Sequence, residues 1–211
     1  MGLYEVSGGE IIYNGTDIKE FTKNSYRSKF ATVFQDFQLY ALSIASNIIM
    51  REVKTKEDEE KVLYALKKVG LEEKVINLEN GINTNLTHEF DENGAILSGG
   101  EAQKIALART FANDDAEIII LDEPTSALDP ISEYNMYENM MQATMNKTVI
   151  FISHRLSSAR MADKIYMIDC GRIIEQGTHD ELMDIKGKYS ELFRKQAQNY
   201  IDEDVLEGVK L

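Results

Sequence analysis

Ile118-Ile119-Ile120-Leu121, followed at once by Asp122-Glu123-Pro124, restricts this chain more than any other stretch. An unbroken apolar run of strand length predicts a strand covered on both faces, as in a parallel sheet flanked by helices. Asp122 and Glu123 then emerge at the strand's C-terminal edge, where open α/β sheets hold their ligands. Adjacent carboxylates at that edge suit a cation and a water. Alone, Asp-Glu-Pro would read as a solvated strand end before a turn.

Upstream, Ser98-Gly99-Gly100 opens a helix in which Ala102, Ile105, Ala106 and Arg109 recur at helical spacing. Two glycines there let backbone N–H groups approach an anion closely, and the helix dipole adds favourable partial charge. A serine-capped helix start would look similar in isolation. Beside the acid pair, a phosphate site is the better reading.

In this order and spacing, Leu97-Ser98-Gly99-Gly100-Glu101 resembles the signature motif of the ATP-binding cassette (ABC) ATPases, Ile118 to Glu123 their Walker B strand, and Ser126-Ala127-Leu128-Asp129 their D-loop. Lys29 to Phe34 reads as a strand ending at Gln35-Asp36, which is similar to the family's Q-loop. Lys147 to Ser153 reads as another, and Ser153-His154-Arg155-Leu156 resembles the switch, or H-loop. The resemblance covers nearly the whole chain. It implies an α/β fold: a P-loop NTPase-like ABC ATPase core with a mostly parallel sheet, a β-hairpin remnant and an inserted α-helical subdomain. The divisions it implies are 1–38 (core and hairpin, ending in the Q-loop), 39–110 (helical subdomain with the signature), 111–199 (catalytic core) and 200–211 (an acidic tail).

The family's chemistry, carried onto these positions, is hydrolysis of ATP with Mg2+ between two such domains. Asp122 would hold Mg2+ through its water shell, joined by Gln35, and Glu123 would be the general base. Gln35 and His154 would complete the shell of the attacking water and the γ-phosphate. Ser98, Gly99 and Gly100 would serve the ATP of the opposite subunit, and Asp129 would communicate between the sites. The partners implied are a second nucleotide-binding domain, as homo- or heterodimer, and the transmembrane domain of an exporter. That places the chain on the cytoplasmic face of the plasma membrane. Ser-His-Arg-Leu-Ser and Gln-Gly-Thr-His-Asp-Glu-Leu are similar to exporters whose membrane and nucleotide-binding domains share a polypeptide. The segment from His88 to Gly94 resembles variants found in bacterial peptide or bacteriocin exporters.

One family element is missing: no Gly-x4-Gly-Lys-Ser/Thr phosphate loop (Walker A) occurs between Met1 and Leu211. Met1 to Gly15 resembles the segment just after the phosphate-loop helix, so the expectation is an N-terminally truncated chain. Without that loop's amides and lysine the β- and γ-phosphates lose their main cradle. Two alternatives therefore stand beside the transport ATPase. One is a non-catalytic module that offers its signature surface to an intact partner. The other is a soluble non-transport ABC protein, which predicts a tandem second cassette.

Composition narrows the partners. A net charge of −13 and a pI near 4.7 disfavour a general nucleic-acid or anionic-membrane binder. The one cysteine, Cys170, cannot form an internal disulfide, and no apolar stretch is long enough to span a bilayer.

Lys56 to Val69 places Val62, Leu63, Leu66 and Val69 on one helix face, and the charged run Lys54 to Glu60 reads as its solvated start. Glu101 stands where the family more often has glutamine. Near a bound triphosphate its charge would cost on the order of 1 kcal/mol unless it points outward. Ile131 to Met145 predicts a helix whose Met and Tyr residues are core. Two strands flank a Cys170-Gly171 turn, Thr178 and Glu181 form a capping box, and a last helix precedes Asp202-Glu203-Asp204. His88 and His179 read as surface or locally hydrogen-bonded residues.

Overall fold

The computed structural model describes residues 1–87, 94–124, 130–144 and 147–207. The chain divides into two compact units, Met1–Ile152 and Ser153–Leu211. The first opens with a hairpin, β1 (Ile12–Tyr13) and β2 (Thr16–Asp17), turned by Asn14 and Gly15 at φ 49° and 82°. Positive φ at both central residues is the backbone of a type I′ turn, which matches the twist of the strands it joins. Tyr13 meets Phe21 edge-on and Tyr26 meets Phe30, with ring centroids 5.8 and 4.9 Å apart. Tyr13 also donates its hydroxyl to Glu117, which pairs with Lys29 at 2.6 Å.

After α1 (Lys23–Arg27) come β3 (Phe30–Val33), α2 (Ile44–Ile49), α3 (Lys56–Lys68), α4 (Glu72–Ile76), α5 (Gly99–Phe111), β4 (Ile118–Asp122), α6 (Pro130–Ala143) and β5 (Thr148–Ile152). Among the described residues the central sheet has three strands in the order β3-β4-β5, all parallel. Helices α2, α3 and α5 pack on one another, α5 lies against β3, and α6 lies against α3. Ile44, Ile48, Val62, Leu66, Ile105 and Leu107 are almost wholly buried in that layer. The helix predicted over 56–69 is α3. Leu63 is only half-buried, and Ala65 takes the fully buried place beside Leu66.

Two expectations change in detail. In β4, Ile119 and Leu121 are buried while Ile118 and Ile120 are half-exposed, so one face is fully covered and the other is not. In edge strand β5, Ile150 and Ile152 are each 49% exposed. An apolar run tells that a strand avoids water; it does not tell which elements cover it. The charged run before α3 is also not uniformly solvated. Asp58 is 4% exposed, closing a capping box with Thr55 and pairing with Arg51 through two bonds of 2.6 and 2.8 Å.

The second unit holds α7 (Leu156–Ala159), an antiparallel pair β6 (Ile165–Asp169) and β7 (Arg172–Gly177), α8 (His179–Ile185) and α9 (Lys188–Glu207). Cys170 and Gly171, at φ 48° and 73°, make its hairpin turn, and Cys170 is exposed. Thr178 and Glu181 form the predicted capping box on α8. Glu175 accepts from the backbone N–H groups of Lys188 and Tyr189 at 2.6 and 3.0 Å, capping α9 with a carboxylate. A Cβ on Gly187 would lie 2.3 Å from that carboxylate, so the close approach needs glycine. His179 is held at 2.9 Å from the Tyr189 hydroxyl, a local hydrogen bond as read from sequence. Asp202, Glu203 and Asp204 fall within α9.

Candidate active site

The β4 ladder ends by pairing Asp122 with Ile152, and the Glu123 N–H still donates to the Ile152 carbonyl at 3.0 Å. Glu123 itself turns to φ 46°. That conformation costs a non-glycine residue roughly 1–2 kcal/mol and ends the strand at this carboxylate. On the other neighbour, Val33 pairs with Leu121 and β3 ends there, so Gln35 lies in the turn just beyond the C-terminal end of the strand paired with β4. Adjacent strands lie about 4.8 Å apart. Gln35, Asp122 and Glu123 thus share one stretch of the C-terminal sheet edge, Gln35 exposed and the two acids half-buried.

Ser98 caps α5 in extended conformation, and Gly99 and Gly100 begin the helix. The Ser98 hydroxyl accepts from the Glu101 N–H at 3.3 Å, and the Glu101 carboxylate accepts from the Ser98 N–H at 2.9 Å. Its other oxygen meets Lys74 of α4 at 2.5 Å. The extra charge at Glu101 is therefore turned back onto its own helix and partnered, rather than pointed outward along the helix. The Lys74 ammonium, then the Ser98 N–H, hold that carboxyl below its ordinary range. Ser98 and Gly99 are exposed, and a Cβ on Gly99 would meet nothing within 4 Å. No described neighbour requires that glycine, which leaves an open helix tip of the kind that receives an anion.

His154 belongs to the second unit, where its turn is held from three sides. Gln196 of α9 donates to the His154 carbonyl at 2.6 Å and accepts from the Leu156 N–H at 2.9 Å. The Ser153 hydroxyl accepts from the Arg155 N–H at 3.0 Å, and Ser158 donates to the Arg155 carbonyl at 2.7 Å. Asp129 lies outside the described residues, as does His88. Ser98, Gly99 and Gly100 form one place on the first unit, and Gln35, Asp122 and Glu123 form another.

Residues 1–126 match the ABC transporter family model. The chain belongs to the ABC transporter family. The cassette is 39% identical over 211 residues to the subtilin transport ATP-binding protein SpaT of Bacillus subtilis, covering 99% of this chain and 33% of that protein. It is also 39% identical over 194 residues to the ATP-dependent lipid A-core flippase of Vibrio vulnificus, covering 92% of this chain and 32% of that one. The cassette thus spans about a third of the length of these curated relatives. A bacterial Atm1-family ABC exporter, solved with ATP bound, matches with a TM-score of 0.80 at 34% identity over 92% of this chain and 33% of that chain. The P-loop ABC ATPase fold expected from the sequence is the fold found.

The donor set fits a metal that arrives with its nucleotide. Among the described residues no cluster of three or more His, Cys, Asp or Glu side chains could cage an ion. One carboxylate and one amide at a sheet edge suit Mg2+, which keeps several waters and takes further oxygens from phosphate. The open tip at Gly99 fits a phosphate presented from outside the chain. For the β- and γ-phosphates the 211 residues contain no Gly-x4-Gly-Lys-Ser/Thr cradle.

Sequence reasoning passed over Lys74, Asn47 and Gln196, and it took Arg109 only as a position on a helix face. An arginine recurring with alanine and isoleucine was the one available signal. The others gave none: Asn47 and Gln196 meet backbone atoms, and Lys74 meets the Glu101 carboxylate, all brought close only by the fold.

Proposed function

We propose that this cassette binds and hydrolyses ATP to drive export across a membrane, paired with a second nucleotide-binding domain and with a transmembrane domain. Support for this reading comes from the parallel pairing of β3 and β4, whose C-terminal ends are followed by Gln35 on one strand and carry Asp122 and Glu123 on the other. Asp122 and Gln35 would hold Mg2+. Glu123 accepts the proton of the attacking water at its carboxylate. His154 and Gln35 complete the shell of that water and of the γ-phosphate. Bound Mg2+ would supply charge neutralisation at the transferred phosphoryl group. Ser98, Gly99 and Gly100 are offered to the nucleotide of the opposite domain, and Asp129 links the two sites. Closure on ATP and reopening after hydrolysis shift the membrane domains between access states.

The working position is the cytoplasmic face of the plasma membrane, reached through the transmembrane partner. No helix of the described residues is long and apolar enough to cross a membrane. The cassettes of a subtilin transporter and a lipid A-core flippase match at equal identity. Cargo choice is therefore read as a property of the membrane partner.

The missing phosphate-loop sequence favours a second reading of the 211 residues taken alone: a non-catalytic module lending Ser98–Gly100 to an intact partner. ATPase assay of this chain, alone and mixed with an intact nucleotide-binding domain, separates the two. Turnover by the chain alone that vanishes in Glu123→Gln supports hydrolysis. Stimulation of the intact domain that survives Glu123→Gln and is lost in Ser98→Arg supports the module. No effect in either arm overturns both.

A further inference from the structure

Beyond Val33 the loop that carries Gln35 leaves the sheet, and it next pairs with other backbone only at the Ser43–Asn85 bridge before α2. Beneath it lies a cleft of about 240 Å³ lined by Thr32, Phe34, Asp36, Phe37, Tyr40 and Arg109, among others. Hydrogen bonds from two side chains outside the loop hold its middle, and backbone bonds from Ile44 to Thr84 and from Leu86 to Leu42 hold its end.

Asn47, 0% exposed within α2, spends its whole amide on the loop. Its oxygen accepts from the Tyr40 N–H at 2.8 Å, and its nitrogen donates to the carbonyls of Tyr40, Ser43 and Leu42 at 2.9, 3.0 and 3.3 Å. A buried amide with all its hydrogen-bonding capacity committed rigidifies what it touches. Arg109, in the last turn of α5, donates from Nη2 to the Gln38 carbonyl at 2.7 Å and from Nε to the Asn47 carbonyl at 2.8 Å. Its guanidinium also lies 5.9 Å from the Tyr40 ring centroid. Burial works against its charge and lowers its affinity for the proton. A half-buried cation bonded to two neutral carbonyls is a costly way to fill space. A planar fork that bridges two separate backbone segments is a geometry lysine cannot copy.

We propose that Arg109, seated on Asn47, is a positioning residue that ties the Gln35 loop to the far end of the helix whose start is the Ser98–Gly100 tip. The inference rests on the ATP-hydrolysis reading for its functional consequence. Helix α5 has 13 residues and so is about 20 Å long. One end faces the partner's phosphate and the other grips the loop over this domain's own acid pair. A phosphate seated on the tip loads a rod whose other end sets Gln35, so occupancy of one composite site is felt in the other.

Arg109→Lys keeps the charge and removes the fork; Arg109→Gln removes both. In the full-length gene product, Arg109→Lys is expected to lower kcat about ten-fold with KM for ATP within about two-fold, because the nucleotide is gripped elsewhere. Amide exchange at Tyr40, whose N–H reports the clamp, should rise about ten-fold while amides of α3 hold their protection. Arg109→Gln should show the same pattern more strongly. An unchanged kcat, or a rise in exchange spread evenly over the first unit, overturns the proposal. Absence of turnover in the unaltered protein counts against the hydrolysis reading instead, and the exchange measurement then decides the clamp by itself.

Discussion

At φ 46° Glu123 holds a backbone conformation that glycine would hold more easily. The position nonetheless carries a carboxylate, set where the ladder ends and beside Asp122. Two substitutions separate its conformational role from its chemical one. In the full-length gene product Glu123→Gln should lower turnover at least about a hundred-fold with no change in Tm, as loss of a general base does. Glu123→Gly should lose turnover equally and keep or raise Tm. A fall in Tm for the glycine variant would mean that the side chain is held for stability. Glu101 shows the limit of reading such residues from sequence. Its charge and its return onto the Ser98 N–H, a Ser-x-x-Glu capping box, are local facts, whereas its pairing with Lys74 depends on α4, which no local pattern connects to α5.

Helix α3 shows what an element adds to its residues. Thr55 and Asp58 close a capping box, the Lys54 and Thr55 N–H groups reach the Asp58 carboxylate at 3.0 and 3.2 Å, and Arg51 grips it with two bonds. Arg51 first, then those N–H groups, hold the Asp58 carboxyl well below the usual carboxylate range. A carboxyl lowered on folding stabilises fully above its unfolded pKa, and that contribution fades as pH falls toward the folded value. Asp58→Asn should therefore lower Tm by several degrees at neutral pH, with the gap to the unaltered chain closing steadily below about pH 4. Thermal unfolding of both proteins across that range checks it; a gap independent of pH would contradict it. The 3.6-residue pattern of α3 and the Thr-x-x-Glu start of α8 are local facts and were legible. The burial of one acid among five neighbouring charges was not, since Arg51 lies outside the helix and meets Asp58 only after the chain turns.

Over the whole molecule, a parallel sheet follows from apolar runs ending in polar residues, while the strand order β3-β4-β5 leaves no mark in those runs. The half-open face of β4 and the exposed Ile150 and Ile152 do not follow, because cover is supplied by other elements and leaves no mark in the strand. The Arg109–Asn47 clamp was hidden for a related reason: its acceptors are main-chain carbonyls, which every residue has. On the proposed reading, the acid-lined edge and the helix tip belong to different composite sites, each completed by a second domain. Complementation tests this most directly. Full-length Glu123→Gln and Ser98→Arg proteins, each inactive alone, are mixed under conditions that let subunits exchange, and ATP turnover is measured. A symmetric pair that shares its sites should recover about a quarter of the unaltered activity, because half of the dimers then carry one intact composite site. A mixture as inactive as its two components would contradict the shared clamp.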